Sequence, residues 1–442
     1  MEKLLKAAEK HAALMLEAEK RIWENPETGF KEFKTHAYLK ENFVALGYDV
    51  KEADGITGFY TTVDTGRKGP TVLVLGELDS VICPSHPESD PVTGAVHACG
   101  HNCQCAALLG IAAALKEDGV LDALSGKIKL CAVPAEELLE ITYRSELIKK
   151  GVIRYYGGKT EFMSRGYFDD CDLAIMVHTG GGLHLNRGSV GCITKRVIYK
   201  GTAAHAGAAP WDGHNALYAA TSGINSANAL RETFRESDVI RFHPIITEGG
   251  QMVNSIPEQV CIESYVRGKT YDAIVKANKR INQALIGSAL SLGCNVEIID
   301  APGYAPELHD EQLMDVTCEA ATLALGSACT RSSFISTGST DMGDLSGVMP
   351  TVQPSCGGAT GKGHGNDYKI ADPMKATVYS AKWQLGILYL LLKDDAKRAL
   401  EIKQNFKPTY PSIQDYLDYV QKVFSNGDRI LYNPDSTATI QL

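Results

Sequence analysis

The segment 96–105, VHACGHNCQC, contains residue types that bind metal ions. Cys99 and His101 lie two residues apart in it, and the run PAEE at 134–137 places two adjacent carboxylates further along the chain. Thiolate, imidazole and carboxylate groups are the ligands of a borderline-soft cation such as zinc, and manganese or cobalt also accept part of this set. The pattern therefore predicts a metal centre, and a metallohydrolase is the first hypothesis.

Three predicted strands end in polar residues. These mostly apolar runs are TVLVLGELD at 71–79, KIKLCAVPAEE at 127–137 and DLAIMVHTGGG at 172–182. Strands that are buried on both faces of a parallel sheet have this composition. Ligands bind beyond the carboxyl ends of such strands. We therefore expect Glu136, Glu137 and His178 to lie at one edge of a sheet.

A glycine-rich loop near the C-terminus carries His364, in the run SCGGATGKGHGNDY at 355–368. Glycine-rich segments are often only turns or mobile connections, so the motif alone leaves the role of the loop open. As a fifth ligand, His364 would complete two metal coordination spheres.

The order of these motifs resembles peptidase family M20, which contains metallopeptidases and amidohydrolases, and in particular its subfamily D. The motifs are, in chain order, GELD, HACGHN, PAEE, VHTGG, GTAAHAG, NSIP and GHGNDY. In subfamily D a Cys-Gly-His replaces the aspartate-based ligand of other members. The resemblance implies an α/β fold, with a metal-dependent exopeptidase-like catalytic domain and an inserted two-layer α/β lid domain that also serves in dimerisation.

The resemblance also implies a role for each matching residue. Two divalent metal ions, manganese or zinc with cobalt also possible, are expected to bind to Cys99, His101, Glu137, His178 and His364. Glu136 is expected to be the general base that takes a proton from the attacking water. In an extended backbone its side chain points away from that of Glu137, so the two carboxylates can divide the work.

Three residues of the predicted lid are expected to face the substrate. His205, in GTAAHAG, is implied to polarise the scissile carbonyl, in dimeric members from the partner subunit. Asn254, in VNSIP, and Arg267, in YVRG, carry over as substrate-binding residues. Arg267 can equally be a solvent-facing charge at the end of a strand, or it can hold a substrate carboxylate through two hydrogen bonds.

Several polar residues near the motifs have open roles. Asp79, in GELD, either supports His101 or positions a nearby loop. Asp341, in STDMGDLS, either reaches the pocket or caps a helix. His86 lies in a spacer rich in proline and turn formers, where we expect it to be solvated.

The chain departs from the commonest subfamily D pattern after the Cys-Gly-His. Asn102 and Gln104 stand where many members carry aspartate and histidine. An asparagine occurs there in a branch that resembles aminobenzoyl-glutamate hydrolases and other small amide hydrolases. The departure weakens any assignment of a substrate by analogy with auxin-conjugate or hippurate hydrolases.

Chain length and a change of pattern predict two domains in the 442 residues. Alternating helices and strands give way near residue 189 to a segment that reads as four strands and two helices, a compact α/β sandwich. We place this lid and dimerisation domain at 189–304. The catalytic domain is then 1–188 together with 305–442.

Composition narrows the class of partner and the compartment. A net charge of −9 gives no electrostatic case for binding nucleic acid or an anionic membrane. The N-terminal segment has no continuous apolar signal core, and the longest apolar run, 385–392, is too short to span a bilayer. The twelve cysteines are expected to stay reduced, Cys103 and Cys105 as packing residues, and we expect a cytoplasmic protein.

These features together predict a metal-dependent amidohydrolase that cleaves a small N-acyl or N-aminoacyl amino acid and forms a homodimer through its lid. Two alternatives stay open. Cys99 could be a nucleophile with His101 as its base, although that mechanism leaves Glu136, His178 and His364 unexplained. The chain could also be an inactive binding protein of the same fold.

Overall fold

The computed structural model describes residues 1–442 and divides into two compact units. The first unit comprises Met1–Gly188, Glu307–Ser336 and Thr340–Tyr416, and the second comprises Ser189–Pro306, Thr337–Ser339 and Leu417–Leu442. Both units mix helices with sheets, so the predicted α/β class is confirmed. The predicted domain boundaries stay a prediction; the two units differ from them mainly in the C-terminal residues, which lie with the second unit.

The α-helices are α1 (Glu2–Lys10), α2 (Ala12–Trp23), α3 (Phe33–Ala45), α4 (His101–Ala114), α5 (Ile141–Lys149), α6 (Gly158–Ser164), α7 (Ala216–Ala229), α8 (Tyr271–Ser291), α9 (Glu311–Leu325), α10 (Met342–Ser346), α11 (Ser380–Asn405) and α12 (Ile413–Gln421). A π-helical segment, Met374–Tyr379, precedes α11, and the backbone of α11 leaves the helical region at 393–396. Short 3-10 turns lie at Pro210–Asp212, Arg231–Thr233 and Glu236–Asp238.

The strands are β1 (Lys51–Glu52), β2 (Phe59–Asp64), β3 (Thr71–Glu77), β4 (Val81–Ile82), β5 (Ala95–Val96), β6 (Lys127–Val133), β7 (Leu173–Ile175), β8 (His178–Thr179), β9 (His184–Leu185), β10 (Gly188–Ser189), β11 (Gly191–Lys200), β12 (Arg241–Phe242), β13 (Ile245–Glu248), β14 (Gln259–Gly268), β15 (Asn295–Tyr304), β16 (Glu307–Leu308), β17 (Thr330–Arg331), β18 (Ile335–Ser336), β19 (Thr351–Val352), β20 (Ser355–Cys356), β21 (Ala359–Thr360), β22 (Lys369–Ile370), β23 (Ile430–Tyr432) and β24 (Ala438–Ile440).

A six-stranded sheet forms the centre of the first unit, in the order β1-β2-β6-β3-β7-β19. β3 runs parallel to both β6 and β7, and β19 runs parallel to β7. Every residue of β3 is buried, as expected for a central strand covered on both faces. The third predicted strand is divided, because β7 ends at Ile175 and His178 begins β8, which pairs with β20 in a separate sheet.

Helix α4 is buried along its whole length. Its sequence from Cys105 onward is alanine, leucine, isoleucine and glycine without a charge, which is the composition of a helix surrounded by protein. Cys103 and Cys105 are fully buried in it, as expected for packing residues. All twelve cysteines of the chain are free thiols.

The second unit has two layers. Its five-stranded sheet has the order β12-β14-β11-β15, with β13 also pairing with β14. Antiparallel pairing joins β11 to β14 from Gly191–Gly268 to Lys200–Gln259. Helices α7 and α8 pack against each other and against this sheet, so the predicted two-layer α/β architecture is confirmed.

The C-terminal residues extend the second unit through backbone hydrogen bonds to β15. Asp300 N donates to Ser425 O at 2.8 Å, and Arg429 N donates to Val296 O at 2.9 Å. The hairpin of β23 and β24 follows. No helix of the structure is both long enough and apolar enough to cross a membrane.

Candidate metal centre

The carboxyl ends of β3 and β6 meet at one edge of the six-stranded sheet. The strands are parallel neighbours, and their last residues, Glu77 and Val133, are paired. Asp79 follows β3 and Glu136 and Glu137 follow β6, so the sheet delivers three more carboxylates to the same edge. All four carboxylates are buried.

Cys99 and His101 reach this edge through the start of α4. Gly100, between them, has a φ of +82°, and a Cβ atom there would lie 2.6 Å from Tyr368 Oη. Only glycine fits such a position without strain. The turn lets Cys99 stand just before the helix while His101, fully buried, is its first residue.

Two groups of potential metal ligands share Cys99. They are Cys99, His101 and His178, and Cys99, Glu137 and His364, and within each group the ligand atoms lie within 4.8 Å of one another. Cys99 Sγ is 3.5 Å from His178 Nε2, and Glu137 Oε1 is 3.0 Å from His364 Nε2. Thiolate, imidazole and carboxylate donors this close together fit divalent ions. The five residues predicted as ligands are thus brought together, and their roles as ligands stay a prediction.

Asp79 orients two of these residues. His101 Nδ1 lies 3.0 Å from Asp79 O and 3.2 Å from Asp79 Oδ1, so Nδ1 donates a hydrogen bond and Nε2 faces the ligand groups. Asp79 Oδ2 accepts a hydrogen bond from Glu137 N at 2.8 Å. One side chain therefore fills both roles that the sequence left open for it.

The turn that presents Glu136 and Glu137 is held in an unusual backbone conformation. Ala135 has a φ of +55°, a left-handed value that a residue with a side chain keeps only when its surroundings impose it. Glu32 Oε1 accepts a hydrogen bond from Ala135 N at 2.8 Å, and Arg144 Nη2 donates to Glu137 O. These two buried side chains fix the turn.

A third group of potential ligands lies deeper, at Glu77, His101 and Glu136, which are all buried. His101 Nε2 is 3.2 Å from Glu77 Oε2 and 3.9 Å from Glu136 Oε2. His101 Nε2 makes no hydrogen bond. The histidine therefore presents one nitrogen to two carboxylates as well as to the Cys99 group.

The two adjacent glutamates have opposite tendencies to bind a proton. Burial, followed by the negative charges of Glu77 and Glu137, raises the pKa of Glu136 well above its usual range. Burial also works to raise the pKa of Glu137, but the hydrogen bond and charge of His364 lower it to about 2. Glu136 is thus suited to accept a proton and Glu137 to remain an anionic ligand.

The thiol and the loop histidine are shifted in opposite directions. Burial works to raise the pKa of Cys99, but the positive charges of His101 and His178 outweigh it and lower the pKa to about 6. Hydrogen bonds to Cys99 and Glu137 raise the pKa of His364 to about 11. A thiolate, the metal-binding form of cysteine, is therefore favoured at Cys99.

The glycine-rich loop that carries His364 is anchored at two points. His364 N donates to Ala98 O at 2.8 Å. His86 Nε2 donates to Tyr368 O at 2.8 Å, while His86 Nδ1 accepts a hydrogen bond from Glu88 N at 3.1 Å. His86 is 4% exposed, so the prediction that it is solvated is wrong, because both ring nitrogens are used within the protein.

No sequence pattern points to Lys159, which lies beneath the ligand groups. Its Nζ donates to Glu77 Oε1 at 2.5 Å and to Asp341 Oδ1, and its backbone N donates to Asp341 Oδ2 at 2.9 Å. All three side chains are fully buried. Asp341 therefore bonds to Lys159 and makes no side-chain cap on α10.

The two amides that mark the departure from the subfamily pattern each donate to a buried carboxylate. Gln104 Nε2 donates to Glu77 Oε2 at 3.0 Å, and Asn102 Nδ2 donates to Glu19 Oε1 at 2.9 Å. An ionised aspartate at position 102 could not donate such a bond and would add a like charge beside Glu19. The substitutions therefore agree with the carboxylates that surround them.

The predicted lid residues His205 and Asn254 are neighbours in the second unit. His205 pairs with Ser255 in a β-bridge, and Ala206 N donates to Asn254 O at 3.0 Å. His205 Nδ1 accepts from Ala208 N at 3.0 Å, which leaves the exposed Nε2 as the donor. An exposed N–H donor is what the predicted role requires.

Arg267, also in the second unit, is partly buried. Its Nη1 donates to Ser339 Oγ at 2.7 Å and its Nε donates to His243 Nε2 at 3.1 Å. The guanidinium lies 5.2 Å from the centroid of the Tyr265 ring. These contacts hold the group in one orientation, as a carboxylate-binding arginine needs. Its contact with substrate stays a prediction.

Comparisons with known proteins support the resemblance to peptidase family M20. The model of "Peptidase family M20/M25/M40" matches residues 73–382. The Xaa-Arg dipeptidase of Mus musculus is 28% identical over 367 residues, 80% of this chain and 78% of that protein. A p-aminobenzoyl-glutamate hydrolase subunit of Escherichia coli (strain K12) is 31% identical over 261 residues, 55% of each.

A solved structure shows that the fold is shared. It is a dinuclear metal binding peptidase of the M20 family from Bacillus subtilis, 17% identical to this chain. The match has a TM-score of 0.63 and covers 87% of this chain and 99% of that one. The shared fold includes both units of the chain.

Proposed function

Because this chain belongs to peptidase family M20/M25/M40, we propose that it hydrolyses the amide bond of a small N-acyl or N-aminoacyl amino acid with two divalent metal ions. The observation that carries this proposal is the pair of ligand groups that share Cys99, with buried Glu136 close by. The predicted class, a metal-dependent amidohydrolase, is confirmed by the family. The relatives give no support to a cysteine nucleophile.

The residues of the chain divide the chemistry between them. Divalent ions in the two ligand groups would polarise the amide carbonyl and lower the pKa of a water molecule towards neutrality. Glu136 accepts the proton of the attacking water on its carboxylate and returns it to the leaving amine nitrogen. Glu32, Asp79 and Arg144 keep the turn that carries Glu136 in place.

The proposed substrate is a dipeptide-like molecule with a free carboxylate. Arg267 supports this class, since its oriented guanidinium can bind a carboxylate through two hydrogen bonds. Asn254 lies beside His205 and would contact the amide. The names of the relatives, a dipeptidase and a hydrolase of an aminobenzoyl amino acid, support the same chemistry.

Manganese or zinc is the proposed metal, and cobalt would also bind. One thiolate, three imidazoles and one carboxylate form a mixed set that excludes neither a borderline nor a harder ion. The cytoplasmic location predicted from the sequence stays a prediction.

We also propose that the lid acts across a homodimer. His205 Nε2 would donate a hydrogen bond to the carbonyl oxygen of a substrate bound in the partner subunit. Negative charge develops on this oxygen during the reaction. The exposed position of His205 supports this role, because a donor that serves a partner must lie at the surface.

A screen of N-acyl amino acids, dipeptides and aminobenzoyl-glutamate tests the reaction, with manganese and with zinc, before and after chelation. We expect turnover that chelation abolishes and that either metal restores. Turnover that survives full chelation would favour the cysteine nucleophile instead. Metal binding without turnover of any of these amides would contradict the proposed hydrolase activity on this substrate class.

Mixing two inactive variants tests the shared site. Subunits with His205→Ala and subunits with Glu136→Gln should regain part of the activity when mixed, since one hybrid site then contains both intact groups. His214→Ala, which also removes an exposed histidine of the second unit, is the matched control and should be active alone. Hybrids that form and stay inactive would rule out sharing.

A further inference from the structure

A fully buried lysine lies directly beneath the candidate metal centre. Lys159 Nζ donates to Glu77 Oε1 at 2.5 Å and to Asp341 Oδ1. The first residue of α6 lies very close to Pro134, and this packing depends on Gly158, where a Cβ atom would lie 1.6 Å from Pro134 O. Glycine at 158 therefore lets the start of α6 pack against the segment that leads into the turn carrying Glu136.

Glu77, which Lys159 contacts, stands where a metal ligand could stand. Its Oε2 is 3.2 Å from His101 Nε2, and with His101 and Glu136 it forms the third group of potential ligands. His101 Nε2 is fully buried and makes no hydrogen bond, so its lone pair faces this group and is available to a metal ion. Geometry alone would admit Glu77 to the ligand set.

Both oxygens of Glu77 are already bound within the protein. Lys159 holds Oε1 with a charge-assisted hydrogen bond, and Gln104 Nε2 holds Oε2 at 3.0 Å. A divalent ion on Glu77 would share its carboxylate with the Lys159 ammonium, and two cations that close repel in a buried site. Asp341 adds a second anchor for the lysine.

We propose that Lys159 is a positioning residue that holds Glu77 outside the metal-ligand set. This inference rests on the proposed metal-dependent function and concerns how the ions are placed. The ions then stay with the two groups that share Cys99, and Glu136 remains a base instead of joining Glu77 and His101 as a third ligand.

The variant Glu77→Gln of the full chain tests whether Glu77 is a ligand in the native protein. Metal-free protein is titrated with Mn²⁺ and with Zn²⁺ in competition with a chelator. Because Lys159 already excludes Glu77, both affinities should stay within about threefold of the native values. A loss of about tenfold or more for either ion would mean that Glu77 is a ligand, and would overturn the proposal.

Removing the ammonium tests its role directly. In Lys159→Met, Glu77 is released towards His101, so a hard carboxylate oxygen joins the ligands and the affinity for Mn²⁺ relative to Zn²⁺ should rise by about tenfold. In Lys159→Met/Glu77→Gln this ratio should return to within about threefold of the native ratio. An unchanged ratio in folded Lys159→Met, or a change that persists in the double variant, would overturn the proposal.

Two further comparisons make the result specific. Lys195→Met removes the equally buried lysine of the second unit and should leave both metal affinities of the folded protein unchanged. Should Lys159→Met fail to fold, Glu77→Gln alone still decides whether Glu77 is a ligand. No step needs a substrate, so a chain that turned over no amide would contradict the proposed function without deciding this test.

Discussion

Each unit of the molecule buries one lysine completely, and the two lysines differ in the charged groups that they contact. In the second unit, Lys195 Nζ donates to Asp300 Oδ1 and to Asn282 Oδ1. The other oxygen of Asp300 accepts from Asn278 Nδ2 and from Asn282 Nδ2, each at 2.8 Å. Lys195 contacts one carboxylate there, and neutral amides make the remaining hydrogen bonds.

In the first unit the lysine contacts two carboxylates instead of one. Lys159 contacts the two carboxylates of Glu77 and Asp341, and Glu136 lies near enough to add to their effect. Burial works to lower the pKa of Lys159, but Asp341 and Glu77 raise it above the usual range. For Lys195 burial prevails over Asp300, and its pKa is lowered.

This difference separates a buried lysine with one carboxylate partner from a buried lysine in a carboxylate cluster beside the candidate metal centre. For the pair of Lys195 and Asp300, the cost of desolvation exceeds the gain from pairing, as the lowered pKa of Lys195 shows. The cluster around Lys159 contains more carboxylates than lysines, and further positive charge nearby would favour their ionised forms. Divalent ions in the Cys99 groups would supply it.

The largest expected effect is on turnover, in Glu136→Gln. The amide keeps the shape of the side chain but cannot accept the proton, so activity should fall by about 10²-fold to 10⁴-fold while metal content is unchanged. Glu307→Gln alters another buried carboxylate of the same unit, one that accepts from His309 Nε2, and should leave kcat of the folded protein unchanged. More than about a tenth of native activity in Glu136→Gln would show that it is not the base.

The next effect falls on stability alone, in Asp300→Ala. Removing the one carboxylate that Lys195 contacts leaves the lysine buried and without its anion, which should cost about 3–5 kcal/mol of unfolding free energy. Denaturant unfolding measures the loss, and metal affinity of the folded protein should not change. A milder loss, below about 1 kcal/mol, would mean that the ion pair of Lys195 and Asp300 contributes little to the fold.

The composition of single segments predicted the central strands of the six-stranded sheet. The apolar runs at 71–79 and 127–137 are β3 and β6, because a strand covered on both faces needs apolar residues on both. The run at 172–182 is divided between two sheets, which depends on pairing with β19 and β20 and leaves no signal in the run itself.

The candidate site likewise contains residues that sequence motifs mark and residues that they do not. Cys99, Glu137 and His364 stand in motifs, so the resemblance could locate them. The contacts of Lys159 join residues 82 and 182 positions apart in the chain, and a lysine in a short glycine-led helix has no pattern that marks it as buried. Such a network is set by tertiary packing and becomes visible only in three dimensions.

A smaller effect concerns the Cys99 thiol, which the two ligand groups share. The pKa of Cys99 is lowered to about 6, so in metal-free protein the thiolate should react rapidly with an alkylating agent near neutral pH. With metal bound it should be protected. Cys105, whose pKa burial raises above the usual range, is the matched control and should be inert in both states.

Substitution of the same residue gives the corresponding loss of affinity. Cys99→Ser should weaken metal binding by about tenfold or more, because a hydroxyl is a poorer ligand than a thiolate. Rapid modification of Cys99 in the metal-loaded protein, with a covalent acyl adduct in mass spectrometry, would contradict its role as a ligand.

The smallest effect tests a third way to bury a charge, at Glu19, which no cation compensates. Glu19 is 8% exposed and accepts from Asn102 Nδ2, and burial raises its pKa from 4.5 to about 7. Because the folded state holds the proton more tightly than the unfolded state, the stability from protonation is fully present below about pH 4.5 and is lost as pH rises towards 7.

The variant Glu19→Gln stays neutral at every pH. Its unfolding free energy should therefore gain about 2–3 kcal/mol over the native protein between pH ~5 and pH ~8. Glu17→Gln, on the exposed side of the same helix, should show no such gain. Equal stabilisation at both pH values would mean that the folded state does not raise the pKa of Glu19, and the distinction between the two units would then rest on the lysines alone.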